Sequence, residues 1–317
     1  MAPALRVRTL LTSISVFCLC VWPLAGMADE IDALSNPSFL PLQGQLFSTT
    51  TYTYSTLNQD WQPQGETIDE HHLGTSNHYD ERLEYGLTDR LAVGVDGGYA
   101  SASGQYVYFD GPKLDANSSG LSNFALNAYY QAITYAHSPF SVYIEGTYAP
   151  GVVANAPRSE GLNLFVNRNF ELATDHGVMG LTLQGEAGTA YDDDYASTNP
   201  QSGLTTHISG RWTYLFAGRS QFRFSPRWAF NSGVQFRQLL ANSVAPPQAS
   251  SIYSNSSESA VEPYVNVAYN IVPNRATVAI EYEHDFIGDE RHLGGLDSGA
   301  WVNQSQNLYS IRLFLLF

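Results

Sequence analysis

The chain has 317 residues, 44% of them hydrophobic and 13% aromatic, and carries 15 Lys and Arg against 30 Asp and Glu, a formal charge of −15. A chain this acidic does not bind nucleic acid through its phosphates. It holds a single lysine, Lys113, among 20 tyrosines and 16 phenylalanines, and no apolar run after the first segment approaches the ~20 residues of a membrane-spanning helix.

The first residues read MAPALRVRTLLTSISVFCLCVWPLAG. Two arginines, an apolar run and then small residues make the pattern of a secretory signal peptide. The expected cut follows Gly26-Met27-Ala28 and leaves Asp29 at the new N-terminus. The apolar run is short for a transmembrane anchor. Cys18 and Cys20 fall inside the removed segment, so the mature chain has no thiol for a disulfide or a metal. Loss of Arg6 and Arg8 takes the formal charge from −15 to −17. Residues 29–44, DEIDALSNPSFLPLQG, come next. Pro37 and Pro41 argue against a regular helix there. The segment lies either in the periplasm or up in a lumen as a partial plug.

From residue 45 the pattern has period two. Strands are predicted near 45–57, 79–87, 91–101, 121–135, 140–149, 161–173, 178–191, 203–224, 228–240, 260–271, 276–286 and 306–317. In ATVAIEYEHDF, Val278, Ile280, Tyr282 and Phe286 share one face, with Thr277, Glu281, Glu283 and Asp285 on the other. Connections alternate. Those at Thr88-Asp89-Arg90, Ser225-Pro226-Arg227 and Pro273-Asn274-Arg275 are tight turns. Those at 58–78, 102–120, 150–160, 192–202, 241–259 and 287–305 read as long loops. Two features resist the pattern. Arg168 falls on an apolar face, and 203–224 is too long for one crossing, which calls for an extension beyond the membrane or a bulge near Gly218.

An even number of strands with short turns at one end and long loops at the other is the rhythm of outer-membrane barrels. The fold class is therefore all-β, a closed antiparallel transmembrane β-barrel of about 12 strands, with 1–28 as signal peptide, 29–44 as a periplasmic or plug segment and 45–317 as barrel. Closure pairs every backbone group inside lipid. The localisation expected is the outer membrane of a Gram-negative bacterium. The final strand, YSIRLFLLF, puts Tyr309, Ile311, Leu313, Leu315 and Phe317 toward acyl chains. A soluble β-sandwich would also alternate, but it would not explain the loop rhythm.

The hairpin EYGLTDRLAVGVDGGY, within residues 81–99, resembles the outer-membrane family described as putative MetA-pathway of phenol degradation proteins. Signal peptide, barrel length and C-terminal aromatic match as well. The resemblance implies transport, of hydrophobic or aromatic compounds among others, and supplies no catalytic residues. The terminal Phe317 strand also resembles the signal read by the outer-membrane assembly machinery.

By parity, Arg82, Glu84, Asp96, Glu145, Glu186, Arg211, Arg237, Glu262, Glu281, Glu283 and Arg312 point inward as candidates along a solute pathway, since charges lining a pore tune what passes. The alternative is a lumen closed by paired charges and tyrosines. Size does not decide, because twelve strands fall between a filled barrel of eight and a porin of 16–18. His207 and Ser209 sit on one strand face as in barrel lipid hydrolases. No Asn follows Ser209, and parity puts the pair on the lumen side, so no catalytic residue is assigned. His71, His72 and His78 with Asp69 and Glu70 in the first loop, and Asp192-Asp193-Asp194, are weak metal readings; no metal or cofactor is expected. Tyr99, Tyr148, Trp212, Trp228 and Tyr309 are expected to form interface girdles. The partners expected are outer-membrane lipid and lipopolysaccharide, the assembly machinery and a small-molecule solute, with no nucleic acid. The reading favoured is a channel or uptake protein. A structural or surface-binding barrel without an open pore is the alternative, and a hydrolase through Ser209 is the third.

Overall fold

The computed structural model describes residues 39–66, 70–108, 113–134, 138, 140–151, 157–174, 177–198, 205–245, 253–293 and 298–317. The expected signal peptide, residues 29–38 and Asp69 lie outside these. Seventeen strand segments follow one another among the described residues. They are β1 (Leu46–Pro63), β2 (Glu70–Thr88), β3 (Leu91–Tyr108), β4 (Lys113–Ile133), β5 (Ser141–Pro150), β6 (Arg158–Thr174), β7 (Gly177–Asp192), β8 (Tyr195–Thr198), β9 (Thr205–Ile208), β10 (Arg211–Arg223), β11 (Trp228–Leu239), β12 (Asn242–Ala245), β13 (Tyr253–Asn255), β14 (Glu258–Val272), β15 (Ala276–Ile287), β16 (Glu290–Leu293) and β17 (Gly299–Leu316).

Twelve of these are staves of one closed antiparallel barrel: β1 to β7, β10, β11, β14, β15 and β17. The other five are short and continue the wall above the staves. β8 pairs with β9, β9 with β12, β12 with β13 and β13 with β16. The barrel shuts between its first and last staves, paired from Phe47 opposite Leu316 to Pro63 opposite Gly299 with one shift of register between Asn58 and Asp60. At the end of that seam the Leu46 and Phe317 backbones exchange hydrogen bonds of 3.1 and 2.9 Å. Closure leaves no edge to satisfy in lipid.

All twelve expected staves are present, but several run further than the sequence pattern suggests. Most of 58–78 and 102–120 is strand rather than loop, as β1, β2, β3 and β4 rise together beyond the apolar band. His71, His72 and His78 therefore lie on β2 and not in a loop. The reason is physical. Above the membrane both faces of a strand meet water, so Ser, Thr, Asn, Gly and His occupy both and no apolar alternation marks it. The 203–224 run breaks at Ser209-Gly210 and not near Gly218, which keeps regular register with Val234 and Gly185.

Exposure alternates along each stave. On β10, Trp212, Tyr214, Phe216, Phe222 and Phe224 are exposed, and the odd-numbered residues between them are partly buried. Tyr99, Tyr148, Trp212, Trp228 and Tyr309 are all exposed on the outer wall. Rings gather at two levels. Near the long loops, Tyr309 lies 6.4 Å from Tyr54 and 5.2 Å from Tyr282, and Tyr191 lies 5.0 Å from Trp212. Near the short turns, Trp228 lies 4.7 Å from Tyr269 and Phe222 6.2 Å from Phe224. Trp212 to Phe222 spans ten residues, roughly 25 Å along the membrane normal at ~3.3 Å per residue and ~40° tilt. Arg168 does face outward. It sits beside the short turns with its guanidinium over Phe140 and Phe170, at 5.3 and 4.9 Å, where a long cation can reach headgroup water.

Candidate functional site: the barrel interior

The short-turn end of the lumen is not empty. Residues Phe39 to Leu42 turn up into it. Phe39 stacks 4.7 Å from Phe47 and joins a cluster of Phe47, Ala229, Ala268, Ala279 and Phe314. Leu40 packs against Ala92, Tyr129, Tyr143 and Phe165, and Pro41 is fully buried. Residues 39–41, the described part of 29–44 that packs here, fill this end of the lumen as a short plug. Backbone bonds at the rim tie it down, Gly44 N–H to the Gly86 carbonyl at 2.9 Å and Gly86 N–H to the Gln45 carbonyl at 3.0 Å. Gly86 is required there, since a methyl group would come within 2.0 Å of the Leu42 carbonyl oxygen. No apolar stripe in 29–44 signals this role.

Above the plug the interior is polar. The eleven charged residues named from the sequence lie on the faces of their staves opposite the exposed apolar residues. Arg82 on β2 is the centre of one group. It reaches Glu84 and Glu145 at 2.8 Å and Asp96 at 3.4 Å, with the Tyr129 ring 4.9 Å below its guanidinium. Asn127 donates to Asp96 and Asn163 to Glu145, at 2.9 and 3.1 Å. On the opposite wall Arg237 pairs with Glu262 at 2.8 Å, and Gln235 donates to the same carboxylate at 2.5 Å. Arg312 pairs with Glu281, which also accepts from Asn266 at 3.2 Å. Arg211, at the upper end of β10, lies 3.9 Å from Asp192. These staves do not form one centre. Their side chains form two networks of pairs on facing walls.

Arg219, which was not among the expected residues, joins β10 to its two neighbouring staves. It bonds Glu186 at 2.6 Å and the amide oxygens of Gln184 and Gln235 at 3.2 Å. A bulge at Gly218 would have turned it outward; without one, the parity that places Arg211 inward carries on to Arg219. Asp285 is a second omission, on the inner face of β15 two residues beyond Glu283 and 4% exposed. Among the described residues neither Glu283 nor Asp285 has an arginine in ion-pair range.

A cavity of about 140 Å³ opens in the half of the barrel nearer the short turns, between Gln184, Arg219, Tyr264, Glu281, Glu283 and Arg312. A contrasting surface runs along the seam. The inner face of β1 carries Thr49, Thr51, Thr53 and Ser55, all short. Across from them on β2 stand Arg82, Asp80, His78 and Ser76, and beyond these on β3 the short Gly98, Ala100 and Ala102.

The other candidates have different partners. Ser209 accepts the Ser243 N–H at 2.8 Å and its hydroxyl at 2.9 Å, so it is held by Ser243 and not by His207, which is exposed on β9. Asp193 lies 3.6 Å from Arg158, and Asp194 accepts the Gly210 N–H at 2.6 Å. His71 hydrogen-bonds Asp60 at 2.5 Å, and Asn303 donates to Asp60 at 2.8 Å. Burial opposes it, but these bonds hold the Asp60 carboxyl below its usual range. Burial holds the His72 imidazole below its ordinary value, with His71 adding to the effect, and burial does the same to His292. No cluster of three or more His, Cys, Asp or Glu suited to a metal occurs among the described residues.

No protein-family model matches the chain, so the family suggested by residues 81–99 stays a resemblance. No curated protein matches it either. Among solved structures, the COG4313 outer membrane channel from Pseudomonas putida F1 aligns with 91% of this chain and 100% of its own, at 15% identity and a TM-score of 0.53. The NanC porin aligns over 83% and 98% at 11% identity and 0.45. The CymD monoaromatic hydrocarbon channel aligns over 92% and 95% at 15% and 0.39. At 15% identity the likeness to the Pseudomonas putida channel is one of fold alone, and the fold is that of an outer-membrane β-barrel of Gram-negative bacteria.

Proposed function

We propose that the chain is a channel or uptake protein for small solutes, including hydrophobic or aromatic ones, and that it has no catalytic role. One observation carries this reading. The interior between the girdles is polar and holds a cavity, and the inner faces of β1 and β3 carry short Thr, Ser, Gly and Ala side chains on either side of Asp80 and His78, whereas a barrel built only for stability would fill that space with large side chains. The route favoured by this wall runs along β1, β2 and β3, past the Arg82 group, and ends on the plug. Outer-membrane lipid and lipopolysaccharide meet the girdles, and the assembly machinery reads the Phe317 strand. The fold of the Pseudomonas putida channel is consistent with this reading.

The plug favours a second reading, a barrel with a structural or surface role and no open pore. Single-channel recording in planar bilayers separates the two. The parent protein should give small or intermittent currents, and a variant lacking residues 39–42 should give larger, steadier ones. If neither correctly assembled protein conducts, the channel reading is wrong.

A further inference from the structure

Above the upper girdle, on the inner wall of the long-loop mouth, four flat rings meet. Trp61 on β1 stands opposite Trp301 on β17, with ring centres 5.1 Å apart and planes at 58°. His292 on β16 meets Trp61 edge-on at 5.1 Å, and His72 on β2 lies 6.3 Å from Trp301. The register puts all four on one side. His72 shares the parity of Arg82 and Glu84, and His292 is opposite Gly299, which is itself opposite Pro63, two residues beyond Trp61. Two glycines make room for the rings. A methyl at Gly299 would come within 2.6 Å of the Trp61 ring, and one at Gly104 within 2.8 Å of His72. All four residues are only half-buried, so ring surface remains accessible.

Carboxylates frame this box. Glu70 is directly opposite Trp61 and Glu290 directly opposite Trp301, where facing side chains come within ~5.5 Å at Cβ. Glu258 stands close enough to Glu290 for their charges to interact. Burial and that neighbour push the Glu290 carboxyl above its usual range, with Arg211 opposing them. A bound cation would relieve the crowding. Directed hydrogen bonding is largely consumed inside the wall, as Gln59 holds His72 at 2.9 Å. That disfavours saccharides, which need free donors and acceptors. Indole faces beside carboxylates suit a positive charge with an apolar coat.

We propose that the Trp61–Trp301–His72–His292 box is a capture site for small organic cations with an apolar or aromatic surface, such as aryl or quaternary ammonium compounds. This names the solute class of the channel proposed above and rests on that reading for its purpose, though binding itself does not require conduction. The rings supply cation–π attraction, and Glu70 and Glu290 add charge selectivity against anions.

Tryptophan fluorescence tests it. Beyond the signal segment the chain has four tryptophans, Trp61, Trp212, Trp228 and Trp301. Trp212 and Trp228 face lipid, so a W212F/W228F protein reports on the box alone. Heat-modifiable gel mobility checks that each variant is folded. Refolded protein in detergent is titrated with phenyltrimethylammonium, phenol, benzoate and maltose. The cation should change the emission saturably, with phenol and benzoate at least tenfold weaker and maltose inert. Glu290→Gln should weaken the cation several-fold and leave phenol unchanged, and Trp301→Leu should weaken both. Phenol binding as well as the cation, maltose binding, or a linear response to every probe would each overturn the proposal. Saturable cation binding by a barrel that never conducts would leave this site standing and remove the channel reading. Conduction without cation binding would do the reverse.

Discussion

Glu81 faces lipid. Its neighbours on the outer face of β2 are Tyr79 and Leu83, and Gly97 stands beside it on β3. A charge at mid-membrane is costly. Here the carboxylate accepts the hydroxyls of Ser48 and Thr50, both at 2.6 Å, which explains these two polar residues on the lipid-facing wall. Replacing Ser48 and Thr50 together by valine should leave Glu81 unsatisfied and cost about 1–3 kcal/mol per lost bond. Urea unfolding in lipid vesicles reads this. A Glu81→Leu change on top should restore much of the loss, and a double variant as stable as the parent would show that the hydroxyls do not support the carboxylate. A similar argument applies at Leu313, which is opposite Thr50 on the seam. Arginine there should cost about 2–4 kcal/mol near the bilayer midplane, and unimpaired assembly would mean that this face is not in lipid.

At the scale of elements, sequence and structure part where water replaces lipid. Within the girdles every stave was legible, because one face meets hydrocarbon and the other a polar lumen. There Glu281 and Arg312 alternate with the exposed Ile280 and Ile311 of their own staves. Above the girdles His71, His72 and Trp61 look like loop residues, and their pairing comes only from long-range register. Arg219 was not named, although the inward parity of Arg211 continues to it once 203–224 runs without a bulge at Gly218, since one extra residue would flip every later side chain. The plug was illegible for another reason. Phe39, Leu40 and Pro41 have no period, and their partners Tyr129, Phe165 and Phe314 are far off in sequence. Gly86 is the lever on that element. Gly86→Val should push the Leu42 carbonyl away, loosen the plug and raise single-channel conductance, while gel mobility and girdle fluorescence stay as in the parent. Unchanged conductance in a folded variant would mean that the plug does not limit flow.

For the whole molecule, the charge inside the barrel is unequal. Glu281, Glu262 and Glu186 each have an arginine, so neutralising any of them leaves a buried cation without its partner. Glu283 and Asp285 have none in ion-pair range, and changing them perturbs the lumen charge with least damage. The double variant E283Q/D285N should move the reversal potential under a salt gradient toward anions, at parental stability. An unchanged reversal potential would place the conducting path elsewhere in the lumen.

The seam between β1 and β17 also sets an order of events in time. It joins Leu46 to Phe317, the most distant pairing in the barrel, and loop-closure entropy makes such contacts slow to form. The other staves pair with sequence neighbours through hairpins or short wall segments and can zip progressively. The first stave has its second partner only once the Phe317 strand has reached it. The plug hangs from the N-terminal end of that first stave. It is therefore in place when the ring shuts or must find its way in afterwards past the rim at Gly86, so the rate of closure and the fraction of blocked barrels are bound together from biogenesis onward.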